Sequence, residues 1–162
     1  MKRTKLEIFV FIIPLTCIFF VFFFLYCRVY QSHGTSMSPT IEDGSKLLVI
    51  KNREIHKGDI IVFETEGENA IKRVIAISKD VIVIDEEGHL YINDQLQEED
   101  YIKGITNGEE LTYPYTVPEG TYFVLGDNRG DSLDSRFKSI GAIKEDKIVG
   151  KVVVSLIPPK IL

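Results

Sequence analysis

Twenty consecutive residues near the start of the chain carry no charge. They occupy positions 8–27 and read IFVFIIPLTCIFFVFFFLYC. A helix of this length rises about 30 Å, at about 1.5 Å per residue, which matches the hydrocarbon thickness of a bilayer. The run therefore predicts one transmembrane helix over residues 8–27. Pro14 is tolerable in such a helix because neighbouring groups or a mild kink can absorb one lost hydrogen bond.

Basic residues are distributed unevenly around this apolar run. Lys2, Arg3 and Lys5 precede it, whereas only Arg28 follows closely. Because basic residues tend to stay on the cytoplasmic side, we expect residues 1–7 in the cytoplasm. Residues 28–162 would then form an extracytoplasmic domain on a single-pass protein of the cell membrane.

A removable secretory signal is the alternative interpretation of the apolar run. Such signals usually have an apolar region of about 7–15 residues that ends at small residues. Here the run is longer and bulky residues follow it, so an uncleaved anchor is preferred and a cleaved signal stays open. Lipoprotein processing at Cys27 is disfavoured because bulky Tyr26 precedes it.

The rest of the chain is acidic and lacks cysteine. Cys17 and Cys27 both lie in the apolar run, so no disulfide supports the outer domain, which must rely on its own core. Residues 1–28 hold four of the 19 basic and one of the 24 acidic residues, which leaves a net charge of −8 for residues 29–162. Such a surface repels phosphate backbones, so we exclude nucleic acid as a partner.

Short apolar, β-branched runs separated by turn residues follow the anchor. This pattern predicts strands rather than helices, and hence a mainly β domain. Residues 81–94 (VIVIDEEGHLYIND) predict a hairpin, and the polar stretch 93–118 predicts a long connection with little structure of its own. The candidate strands are residues 46–51, 59–63, 70–77, 81–85, 89–92, 121–125 and 148–156.

Three motifs carry groups that could do chemistry. They are GTSMSPT at residues 34–40, IKRV at 71–74 and LGDNRGDSLDSR at 125–136. Each motif alone has an ordinary structural explanation, as a turn, a solvated pair or a loop held by side chains. Their occurrence together, and in this order, is the informative observation.

In this order the three motifs resemble those of the bacterial type I signal peptidases, which are membrane-anchored serine proteases that remove leader peptides from exported proteins. That family has Ser-Met-x-Pro-Thr just after an anchor, then Lys-Arg, then Gly-Asp-Asn-Arg-x-x-Ser-x-Asp-Ser-Arg. The matching residues are Ser36, Met37, Pro39, Thr40, Lys72, Arg73, Gly126, Asp127, Asn128, Arg129, Ser132, Asp134, Ser135 and Arg136.

A serine hydroxyl is a weak nucleophile and needs a base, which can be histidine or lysine. At its usual pKa only about one lysine in a thousand is neutral near neutral pH, so a lysine base needs a lowered pKa. Burial lowers it because burial disfavours the ammonium. Lys72 lies in a β-branched run, and strand alternation predicts a buried Lys72 beside an exposed Arg73.

Histidine is the alternative base. His33, His56 and His89 have no sequence context that suggests an orienting carboxylate, so ordinary surface histidines are preferred over a Ser-His-Asp site. Their spacing also lacks the pairing of metal ligands. We therefore expect neither a metal nor a cofactor.

The resemblance implies a role for each matching residue. Ser36 would be the nucleophile, with its backbone N–H in the oxyanion hole, and Lys72 the general base. Ser132 would hydrogen-bond to Lys72. Some members have a hydroxyl residue where this chain has Gly34, so the second oxyanion donor is unassigned. The residues that would brace the site through ion pairs and hydrogen bonds are Asp127, Asp134, Ser135 and Arg136.

The resemblance also implies a fold and partners. We expect a β-sheet domain of the signal peptidase and repressor-protease type, in a minimal Gram-positive-like form. Its substrates would be preproteins cut after Ala-x-Ala, and its other partners membrane lipid and the export translocon. Two alternatives remain: a catalytically degenerate tethered β domain with an accessory role, and a self-cleaving Ser/Lys protease, which the anchor and the absence of a DNA-binding segment disfavour.

Overall fold

The computed structural model describes residues 2–51, 53–65 and 67–162. Helix α1 spans Lys2–Tyr26, and a short 3₁₀ helix spans Glu145–Lys147. The strands of the described residues are β1 (Cys27–Gln31), β2 (Lys46–Ile50), β3 (Ile60–Thr65), β4 (Glu68–Ile77), β5 (Val81–Ile84), β6 (Leu90–Ile92), β7 (Gln95–Leu96), β8 (Tyr115–Thr116), β9 (Thr121–Leu125), β10 (Ile143–Lys144), β11 (Ile148–Ile157) and β12 (Pro159–Ile161).

The strands form two antiparallel sheets. The larger sheet has the order β1-β2-β11-β3-β4-β9-β10, and β12 also pairs with β11. The smaller sheet has the order β7-β6-β5-β8. The hairpin predicted over residues 81–94 is present as the β5–β6 pair. The prediction of a mainly β domain is therefore confirmed.

Three apolar clusters hold the sheets together. One lies between β4, β9 and the smaller sheet and contains Ile82 and Phe123. The second cluster lies on β2, β3 and β11. The third lies on β3, β4 and β9. Met37 and Ile41, from the loop between β1 and β2, are buried in the second cluster. Burying side chains of this size contributes about 1.5–3 kcal/mol each, so this loop is fixed to the core.

All seven predicted strands are present, and five further strands were not predicted. β7, β8 and β10 have two residues each and β12 has three, which is too short for a periodic pattern. β1 was missed because its sequence directly follows the apolar run. The stretch 93–118 contains little regular structure, as predicted, apart from β7, β8 and a parallel bridge from Lys103 to Asn128.

Helix α1 passes into β1 without a loop. The C=O of Tyr26 accepts a hydrogen bond from the N–H of Lys51 (2.9 Å), which joins the helix end to the end of β2.

Within the residues that the structure describes, no helix is both long and apolar enough to cross a membrane. Within the anchor predicted over residues 8–27, the side chains of residues 8–10, 19, 22 and 24 lie outside the described part of the structure. The anchor therefore stays a prediction.

Candidate active site

Ser36 lies in a turn between β1 and β2. The C=O of Thr35 accepts a hydrogen bond from the N–H of Ser38 (3.0 Å), and the C=O of Met37 accepts one from the N–H of Ile41 (2.8 Å). Met37 and Ile41 are core residues, so the turn is held from inside and cannot move freely. The Ser36 side chain itself is only partly buried.

Lys72 reaches Ser36 from β4. Its Nζ lies 2.8 Å from the Ser36 Oγ, at hydrogen-bond distance. Lys72 is only 6% exposed, as strand alternation predicts. Burial lowers the pKa of its amine, and the nearby carboxylates of Asp134, Asp127 and Asp131 oppose this shift without reversing it. The geometry therefore joins a hydroxyl to an amine whose pKa is lowered by burial.

Arg73 is not exposed, and the prediction that it would be is wrong. Its side chain is only 13% exposed. It donates two hydrogen bonds to Asp127, from Nε to Oδ1 (2.8 Å) and from Nη2 to Oδ2 (2.6 Å). The ring of Tyr101 covers the guanidinium at 4.1 Å from the ring centroid. Arg73 does face away from Lys72, but other segments cover that face of the sheet.

The other predicted bracing residues form one buried network. Asp134 and Arg136 are fully buried and pair through two hydrogen bonds, of 2.8 and 2.9 Å. The Asp134 carboxylate also accepts the N–H of Gly126 (3.1 Å), and the Ser135 hydroxyl accepts the N–H of Val124 (3.0 Å). These contacts fix the loop of residues 126–136 to the end of β9.

Ser132 does not hydrogen-bond to Lys72 here, contrary to the expectation. Its Oγ is buried and has no hydrogen-bond partner among the described residues. The hydroxyl instead packs against Gly126, while the Lys72 amine is directed to Ser36. A Cβ on Gly126 would lie 2.2 Å from the Ser132 Oγ and 2.5 Å from the Ser36 C=O. Only glycine fits between these two serines.

Sequence reasoning missed three residues that support the site from the stretch 93–118. Arg129 is fully buried and pairs with Glu99 through two hydrogen bonds, of 2.7 and 2.6 Å. Arg129 also donates to the hydroxyl of Thr106 (2.5 Å), and Glu99 accepts the hydroxyl of Tyr101 (2.6 Å). Glu99, Tyr101 and Thr106 belong to no motif, and nothing in their local sequence indicates these contacts.

His33 lines the same cleft as Ser36 and Lys72, while His56 and His89 lie beside carboxylates elsewhere in the chain. The Nδ1 of His89 lies 3.0 Å from the Oδ2 of Asp85, a pairing that the sequence analysis did not predict. Asp85, Glu87 and His89 place three possible metal ligands within 4.8 Å of one another at the end of the β5–β6 hairpin. Within the described part of the chain, no hydrogen bond joins a histidine to Ser36 or Lys72.

A cleft of about 260 Å³ opens beside Ser36 and Lys72 and extends along β4 past Ile71 and Asn69. β4 pairs with β3 along residues 68–73, but β9 pairs with β4 only from Arg73 onward. Among the described strands, none pairs with residues 68–72 on the cleft side. The cleft is therefore bordered by an open strand edge.

A buried amine at hydrogen-bond distance from a serine hydroxyl, beside an open strand edge, is an arrangement suited to peptide hydrolysis. The model of the family described as "Signal peptidase, peptidase S26" matches residues 5–157. The chain belongs to this family and is a peptidase.

Curated relatives cover nearly the whole chain. It is 35% identical to signal peptidase I U of Bacillus subtilis (strain 168), over 92% of this chain and 86% of that protein. It is 34% identical to signal peptidase IB of Staphylococcus aureus (strain Mu50 / ATCC 700699), over 94% and 89%. A crystal structure of a signal peptidase I from Enterococcus faecalis V583 is 32% identical and covers 61% of this chain and 97% of that chain, with a TM-score of 0.49.

Proposed function

We propose that this peptidase cleaves signal peptides from exported proteins, with Ser36 as nucleophile and Lys72 as general base. The observation that carries the proposal is the 2.8 Å contact between the Lys72 Nζ and the Ser36 Oγ. In the neutral form, the amine accepts the hydroxyl proton through this contact. The lowered pKa of Lys72 supports the proposal because it raises the neutral fraction.

The proton moves twice in each half of the reaction. As the Ser36 Oγ attacks the scissile carbonyl, Lys72 takes the hydroxyl proton, and the Ser36 N–H donates to the developing oxyanion. The Lys72 ammonium then protonates the leaving amine, which leaves an acyl-enzyme. Lys72 next removes a proton from water as the water attacks the ester, and the Lys72 ammonium then returns a proton to the Ser36 Oγ as the ester bond breaks and the carboxyl product leaves. The nearby carboxylates stabilise each transient ammonium.

The open edge of β4 would hold the substrate as an added strand. The Val74 N–H donates to the Asp59 C=O (2.8 Å), so the backbone groups of Val74 face β3. Backbone groups alternate along a strand, and those of Asn69 and Ile71 therefore face the cleft. A bound peptide could pair with them. The cleft is small, which supports small side chains at the cleaved site, as in Ala-x-Ala.

Membrane attachment is part of the proposal: residues 1–7 cytoplasmic, 8–27 in the bilayer and 28–162 outside. The larger sheet adds support, because a row of apolar side chains crosses β1, β2, β11 and β12 on the face away from buried Leu47. The row is Val29, Leu48, Val154 and Ile161, of which Ile161 is 87% exposed. Met37 is buried in the core and is not part of this row.

The proposal is tested by incubating the full chain in liposomes with a preprotein that carries an Ala-x-Ala junction. We expect two products whose masses place the cut directly after the second alanine. A preprotein with large residues in place of both alanines serves as the matched control. Wild-type protein that leaves the Ala-x-Ala preprotein intact would contradict the proposed activity. Engagement of the export translocon belongs to the same proposal.

A further inference from the structure

Asn128 makes two contacts with the turn that carries Ser36. Its backbone N–H donates to the C=O of Ser36 (3.0 Å), and its side-chain Nδ2 donates to the C=O of Thr35 (3.1 Å). Asn128 is only 7% exposed. Two successive carbonyls of the turn are thus bound by one residue of the loop 126–136.

The contact with Thr35 sets the direction of the Ser36 N–H. The peptide unit between Thr35 and Ser36 is planar, and in a trans peptide the N–H points opposite to the C=O. The Thr35 C=O accepts hydrogen bonds from both Asn128 and the N–H of Ser38. No acceptor for the Ser36 N–H is found within the described residues, so this donor is oriented and available.

Asn128 can orient this turn because Asn128 is itself held on both sides. The N–H of Lys103 donates to the C=O of Asp127 (2.8 Å), and the N–H of Arg129 donates to the C=O of Lys103 (2.8 Å). Asp127 is also paired with Arg73 and Arg129 with Glu99. The residue that touches the turn therefore sits between two anchored neighbours.

We infer that Asn128 is a positioning residue, which aims the Ser36 N–H at the oxyanion that forms on the scissile carbonyl. The inference rests on the proposed function, because it concerns the oxyanion hole of that reaction. A donor aimed in advance stabilises the transition state without reorganising during the reaction. Asn128 contacts neither Lys72 nor the hydroxyl of Ser36 among its hydrogen bonds, so its effect is separable from proton transfer.

The test compares Asn128→Ala and Asn128→Asp with the wild type in the full chain, using a peptide that spans an Ala-x-Ala junction. Complete loss of one oxyanion donor costs about 10²–10³-fold in kcat, so a misaimed donor is expected to cost about 10–100-fold. KM should stay within about threefold, because the contact acts in the transition state. In Asn128→Ala the pH at which activity rises should not move, since Lys72 keeps its charged neighbours; Asn128→Asp adds a carboxylate beside the Ser36 turn and is compared only in kcat and KM.

A second measurement compares the affinities of two ligands, without turnover. A peptide aldehyde ending in Ala-x-Ala forms a tetrahedral adduct with a serine, and its affinity should fall in parallel with kcat/KM. The product peptide with a free carboxylate makes no such adduct, and its affinity should stay the same. A merely structural role would weaken both ligands together.

Asn93→Ala is the matched control. Asn93 also joins two segments through its side chain, by accepting the N–H of Val81 (2.9 Å) and donating to Asp80 (2.7 Å), but it lies in the smaller sheet's connection. We expect lower thermal stability and unchanged kcat for this variant.

Two results would overturn the inference. One is a wild-type kcat in both Asn128 variants. The other is a fall in kcat no larger than the fall that Asn93→Ala shows for the same loss of thermal stability. Wild-type protein that neither cleaves the peptide nor binds the aldehyde would instead overturn the proposed function.

Discussion

Replacing Ser36 with alanine is expected to abolish cleavage of an Ala-x-Ala preprotein. The acyl-enzyme cannot form without the hydroxyl that Lys72 contacts at 2.8 Å, and the losses known for removed nucleophiles reach about 10⁶-fold in kcat. The fold should persist, because the side chain of Ser36 is only partly buried and the turn is held by Met37 and Ile41. Turnover is measured with the full chain in liposomes, and folding by thermal denaturation.

Ser38→Ala is the matched control for this prediction. Ser38 lies in the same turn, and its hydroxyl forms no hydrogen bond within the described part of the chain. The Ser38→Ala variant should retain wild-type turnover. Cleavage by Ser36→Ala at a rate near that of the wild type would remove Ser36 from the mechanism.

The second large effect is expected from Lys72→Met, which keeps an unbranched side chain and removes the amine. Loss of a general base costs about 10²–10⁴-fold, and here we expect the upper end because, among the described residues, no histidine hydrogen-bonds to Ser36. Stability should not fall. Burial disfavours the charged amine, so an apolar side chain removes a desolvation cost.

Lys79→Met tests whether any lysine would have the same effect. Lys79 lies in the turn after β4, and its side chain is 74% exposed beside Glu119. We expect wild-type kcat/KM for this variant. A Lys72→Met protein that is folded and retains most of its kcat/KM would show that another group acts as the base.

The strand positions were predictable from the sequence because they follow local apolar patterns. The Ser36–Lys72 contact was predictable because the three motifs resemble those of a known family. Lys72 lies in an alternating β-branched run, and alternation places its side chain on a buried face. The resemblance over the three motifs then predicts Ser36 as the partner of Lys72. Both residues are anchored by short segments with clear apolar positions, such as Met37 and Ile41.

The surroundings of Arg73 could not be predicted in the same way. Alternation correctly puts Arg73 on the face opposite to Lys72, but it does not tell what covers that face. The covering residues, Tyr101 and Asp127, lie 28 and 54 positions further along the chain. Contacts over such distances depend on the path of the connecting segments, and the polar stretch 93–118 has no periodic pattern that defines its path.

Ser132 shows a second limit of reasoning from a motif. The motif places this serine near the site, and it does pack against Gly126 beside Ser36. Whether its hydroxyl reaches Lys72, however, depends on side-chain positions in three dimensions, which the motif does not specify. Asn128 is the converse case, because its position in the motif is known while its two carbonyl contacts are visible only in three dimensions.

The central claim is that Lys72 acts on Ser36 as a neutral amine, and the pH dependence of kcat/KM tests it most directly. The ratio would be measured on a peptide substrate from about pH 6 to pH 10 for the wild type. Because the protonated amine cannot accept the Ser36 proton, kcat/KM should rise with pH, with an apparent pKa below the ordinary lysine value of 10.5. A profile that is flat over this range, or that rises only at the ordinary lysine pKa, would contradict the account.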